Sequence, residues 1–119
     1  MNLRECYEAF GGDYNDVLTR LMDEDFVKMF VVKFLNDKTF DNLVADIEKK
    51  DIKEAFREAH TLKGLVQNLS FTSLFEPVSV LTDELRDKES FDETSGVDEM
   101  LNKVKEQYDI TVKAIKELD

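Results

Sequence analysis

The chain has 119 residues, with 27 acidic against 16 basic side chains and a formal charge of -11, a balance that repels phosphate backbones and anionic bilayers and so argues against nucleic acid or membrane as partner. Hydrophobic residues make up 42% and charged residues 36%, which excludes a disordered tract and fits one domain over residues 1–119 with one core. No apolar run approaches the roughly 20 residues of a bilayer span, the amino terminus lacks a secretion signal, and one cysteine with one histidine provides neither an intramolecular disulfide nor a Cys/His metal set. The cytoplasm is the expected location.

Few glycines, one proline and no Asn-Gly or Asp-Gly dipeptide leave little signal for hairpins. Apolar residues instead recur every three and four positions, which predicts an all-helical chain. A first short helix spans about 3 to 10 and ends at Gly11-Gly12. A second begins near Asp13, whose side chain can cap it. Phe26, Val27, Phe30, Val31, Phe34 and Leu35 continue an apolar stripe, and after Asn36-Asp37 a further helix carries Phe40, Leu43, Val44 and Ile47. Asp51 with Glu54 has the spacing of a capping box and opens a helix running to about Leu69 or Ser70. Ser73-Leu74-Phe75-Glu76 repeats that start signal, with Pro77 in or just past the first turn. Residues 87 to 96 form the one long loop, before a last helix carrying Val97, Leu101, Val104, Tyr108, Val112, Ile115 and Leu118. Such stripes with short connections pack most economically as an antiparallel up-down four-helix bundle with an additional short N-terminal helix. All stripes can then be buried internally, which predicts a monomer, and Met1 with a complete bundle favours a free-standing protein.

The single histidine, His60, lies in Ala59-His60-Thr61-Leu62-Lys63-Gly64. Side chains three and four apart share one helix face, so Lys63 and Gly64 stand beside the imidazole. A glycine in a helix interior costs about 1 kcal/mol relative to alanine. The gain that offsets this is room for a large body to approach the ring. Ile52, Ala55, Ala59, Leu62, Val66 and Leu69 fall on the opposite, core-facing side. Lys53, Arg57, Lys63 and Gln67 lie near His60 in projection, which predicts a cationic strip in an otherwise acidic protein. A neutral imidazole can take a phosphoryl group on one nitrogen when positive charge meets the incoming oxygens, and Lys63 is placed to supply it. Gln67 and Arg86 are possible supporting groups. Taken singly, each of these residues reads as an ordinary solvated or packed position; their conjunction points to a site.

The run His60-Thr61-Leu62-Lys63-Gly64 resembles the motif of the histidine-containing phosphotransfer (HPt) domains of two-component phosphorelays, which is histidine, any residue, an aliphatic, lysine and glycine. The resemblance extends into Asn68-Leu69-Ser70-Phe71, with Ser70 where the family usually has glycine, and outwards over roughly residues 13 to 90. It implies a phosphorelay carrier in which His60 accepts a phosphoryl group from a receiver-domain aspartate and passes it to another receiver. It further implies that no cofactor belongs to this chain, Mg²⁺ being held by the receiver. The chain has no glycine-rich phosphate loop or ATP-site boxes, so it is expected not to be an enzyme with its own kinase activity. The receiver-binding surface is expected to combine Lys53, Phe56 and Arg57 with a rim drawn from Leu65, Phe71 and Phe75. The alternative is a non-catalytic adaptor that binds a signalling partner through the same helical surface.

Overall fold

The computed structural model describes residues 1–119 and is all-helical. Its elements are α1 (Leu3–Phe10), α2 (Tyr14–Leu21), α3 (Glu24–Phe34), α4 (Thr39–Glu48), α5 (Ile52–Asn68), α6 (Thr72–Leu85), a 3₁₀ turn (Phe91–Glu93) and α7 (Val97–Lys116). Three helices therefore precede Thr39, so the expectation of a single additional N-terminal helix undercounts that region. The missed break lies at Met22, which closes α2 in the left-handed conformation at φ 64°, and Asp23 then caps α3 by accepting from the amides of Asp25 and Phe26.

Other ends follow the sequence more closely. Gly11, at φ 79°, closes α1, and the Asp13 side chain accepts from the Asp16 amide to open α2. Asp51 accepts from the Glu54 amide at the start of α5, but its own amide donates to the Asp46 carbonyl, so only half of the expected capping box forms. Ser73 does not cap α6. That helix begins one residue earlier, and the Ser73 hydroxyl donates to the Gly11 carbonyl at 2.9 Å, tying α6 to the end of α1. Pro77 consequently sits inside the helix, beyond its first turn.

Helix α5 packs between α4 and α6, and α7 covers both α6 and α1. The Phe40 ring of α4 stacks on Tyr108 of α7 with centroids 4.2 Å apart, which closes the circuit α4, α5, α6, α7 around a common core and fits a four-helix bundle. A second aromatic group sits at one end. Phe71 lies 4.9 Å from Phe10, 5.2 Å from Phe34 and 5.8 Å from Tyr7 between ring centroids. The buried Tyr7 hydroxyl donates to the Leu69 carbonyl at 2.7 Å, so the α5–α6 turn is anchored from below. No helix is long and apolar enough to cross a membrane.

Candidate functional site

His60 sits near the midpoint of α5, and the helix faces the core as its periodicity predicts. Ala55, Ala59, Leu62 and Val66 are fully buried, with Ile52 and Leu69 nearly so. His60 is on the other side and exposed. A β-carbon built on Gly64 would meet no atom within 4 Å, so this glycine is not required by close helix packing. The space over it is open, one turn from the imidazole.

The cations divide into two groups. Lys53 pairs with Glu89 at 3.3 Å and Arg57 with Glu54 at 3.4 Å, so the anticipated cationic strip is partly cancelled by carboxylates from the same acidic surface. Lys63 makes no ion pair. Its Nζ lies 5.9 Å from the centre of the Phe75 ring on α6. Phe56, one turn before His60, has its ring centroid 5.8 Å from the imidazole's. The Arg86 guanidinium, just past α6, lies 5.1 Å from the Phe56 ring centre and 3.5 Å from Asp83. Arg86 is thus brought to the histidine face, against Phe56. Gln67 is exposed on the same face and borders a small cavity of about 180 Å³ with Asp16, Ser70 and Phe75, but donates no hydrogen bond to His60.

Of the four apolar residues expected on the receiver-binding surface, Phe56, Leu65 and Phe75 are half-buried. Phe71 is fully buried in the aromatic group and is not surface at all. Ser70 adopts φ 57°, a conformation in which glycine carries no steric penalty and serine does. Its hydroxyl donates to the Asp16 carboxylate at 2.6 Å and its carbonyl accepts from the Asp13 amide, so the turn is fastened to α2. That hydrogen bond, with help from Arg20, lowers the Asp16 pKa below the ordinary carboxylate value.

An apolar face on α3 was not anticipated. Phe26, Met29, Phe30 and Val32 are each more than two-fifths exposed, and Met22 beside them is 86% exposed. Periodicity placed Phe26 and Phe30 with the core stripe, yet only Val27, Val31 and Phe34 are buried. The readable signal was that α3 has apolar residues on every side, more than one core face can absorb. Next to this face runs a groove of about 500 Å³ lined by Arg20, Leu21, Phe30, Phe34, Leu65 and Asn68 among others. Leu65 and Asn68 belong to α5, and Asn68 stands one helical turn after Gly64.

The family model of the Hpt domain matches residues 27–109, from within α3 to within α7. Comparisons with curated proteins and with solved structures find no match. A match over well over half of the chain, on an all-helical fold that fits a four-helix bundle, shows that the chain belongs to the Hpt domain family, the phosphohistidine carriers of two-component signalling.

Proposed function

We propose that this protein is a phosphorelay carrier whose acceptor is His60. The imidazole attacks the phosphorus of a receiver's aspartyl phosphate, the P–O bond to the carboxyl breaks, the aspartate leaves with the electron pair, and the second ring nitrogen keeps its proton. Reversal onto another receiver discharges the carrier. Lys63 meets the phosphoryl charge and Gly64 leaves room for the receiver, with Gln67 and Arg86 as supporting groups. The reading rests above all on an exposed imidazole beside an open glycine and a lysine that no carboxylate neutralises.

In this reading residues 1–119 form one domain, monomeric and cytoplasmic, and α4 to α7 run up and down. Two contacts support the opposed direction of α5 and α6: Phe56 meets Arg86, whereas the later Lys63 meets the earlier Phe75. The chain needs no cofactor of its own and has no kinase activity, the Mg²⁺ of the transfer step being expected in the receiver's acidic pocket. The receiver contacts Lys53, Phe56 and Arg57, and its apolar contact falls on the α3 side, over the groove formed with Leu65. The presence of Asn68 in that groove, one helical turn after Gly64, supports this placement.

Incubation with a phosphorylated receiver should transfer acid-labile label to the protein and none to His60→Gln. Equal labelling of that variant would refute the assignment, and binding without any label would favour the adaptor. Phe30→Glu should slow transfer from a receiver by about tenfold or more, as expected for an apolar anchor, while labelling by a small phosphoryl donor stays unchanged. Equal receiver rates would remove α3 from the docking surface.

A further inference from the structure

The α5–α6 seam carries an arrangement that the family motif does not account for: a cation resting on a phenyl ring on each side of His60. One turn towards the helix start are Phe56 and Arg86, and one turn beyond are Lys63 and Phe75, with cation-to-centroid distances of 5.1 and 5.9 Å. A cation within about 6 Å of an aromatic face is attracted by the ring's quadrupole. The ring has no net charge, so it restrains the side chain without cancelling the positive charge. A carboxylate would restrain and cancel together. Lys53 and Arg57, on the same helix, are held in that second way by Glu89 and Glu54.

We propose that Phe75 and Phe56 are positioning residues for phosphoryl transfer, the Phe75 ring holding Lys63 beside His60 as an unpaired cation and the Phe56 ring holding Arg86, which Asp83 also pairs, both cations being released to the phosphoryl oxygens once the histidine is modified. The inference rests on the carrier reading. Phe75 is the stronger member, because Arg86 also lies 3.5 Å from Asp83 whereas Lys63 has no such competitor. The weakness of a partly exposed cation–ring contact suits the role, since the cation must be able to leave.

The test uses phosphoramidate as donor, which removes receiver docking from the measurement. The donor's P–N bond breaks, ammonia leaves, and the imidazole nitrogen takes the phosphoryl group; the initial rate is read by intact mass. Phe75→Leu should slow labelling about two- to fivefold, the range a contact of this kind supports, and Phe75→Tyr should restore the wild-type rate. Lys63→Met/Phe75→Leu should be no slower than Lys63→Met, because a residue that acts through the lysine has nothing left to position. The cycle of Phe56→Leu with Arg86→Met should behave alike. A Phe75→Leu rate equal to wild type, or an equal slowing in the Lys63→Met background, overturns the inference. In the unaltered protein the Lys63 ε-methylene protons should show an upfield ring-current shift, and its absence overturns the inference even if Phe75→Leu fails to fold. If wild type takes no label from phosphoramidate or from a phosphorylated receiver, the carrier reading falls and this inference with it; if wild type labels while the variants match it, the inference alone falls.

Discussion

Gly64 separates stability from function at a single atom. With nothing within 4 Å of an added β-carbon, Gly64→Ala should stabilise the protein by about 0.5–1 kcal/mol, the usual difference in a helix interior. Gly64→Gln should fold at least as well as wild type but lose receiver transfer by about tenfold or more, since small displacements of reacting groups have effects of that size. Thermal melts together with transfer rates check both. Ser70 shows the opposite case, a residue strained in place. Ser70→Gly relieves the left-handed conformation, whereas Ser70→Ala keeps the strain and loses the bond to Asp16, so the alanine variant should be the less stable. Because the folded Asp16 pKa is lowered, its contribution is present above the ordinary value of 3.8 and is lost as pH falls below it. Ser70→Ala should therefore lose less stability on acidification than wild type, as melts across that range would reveal. His60, Lys63 and Gly64 could be read from their spacing alone; the role of Ser70 could not, since no periodicity signals that its hydroxyl reaches a helix 54 residues away in sequence.

The helices themselves were legible where one face is buried and one solvated. The core face of α5 is the clearest case, from Ile52 to Leu69. The break between α2 and α3 is hidden because the chain turns there without glycine: Met22 takes positive φ, so the usual punctuation is silent. Ser73 misled for a different reason, because a serine at a helix start is read as a cap and here its hydroxyl serves a tertiary bond to Gly11. Recurrence of apolar residues also fails to distinguish a face that meets the core from one left open, so periodicity alone groups Phe26 and Phe30 with Val27 and Val31. The junction of α1 with α6 depends on Gly11, whose added β-carbon would collide with the Ser73 hydroxyl and whose φ is left-handed. Gly11→Ala should destabilise by about 1–3 kcal/mol, combining the backbone penalty with that collision. Unfolding in denaturant would measure it.

Across the whole molecule, charge and shape combine. The principal extents are 44 × 23 × 20 Å, and at an ionic strength of about 0.01 M the screening length of about 30 Å exceeds the two smaller ones. A net charge of -11 then repels itself across the full width of the protein. Raising the ionic strength to about 0.1 M shortens that length to about 10 Å, so the melting temperature should rise; a fall would mean that the surface ion pairs outweigh the net repulsion. Helix α1 contributes to this body although it lies outside the residues matched by the family model, through its packing on α7 and the Tyr7 bond to Leu69. Cys6 lies in α1 with no exposed surface, and burial pushes its thiol up to about 11. Alkylating reagents therefore find neither access nor thiolate while α1 stays seated. The speed at which such a reagent consumes the thiol would time how often the first helix lifts away from the last, giving the molecule an internal clock for its own breathing.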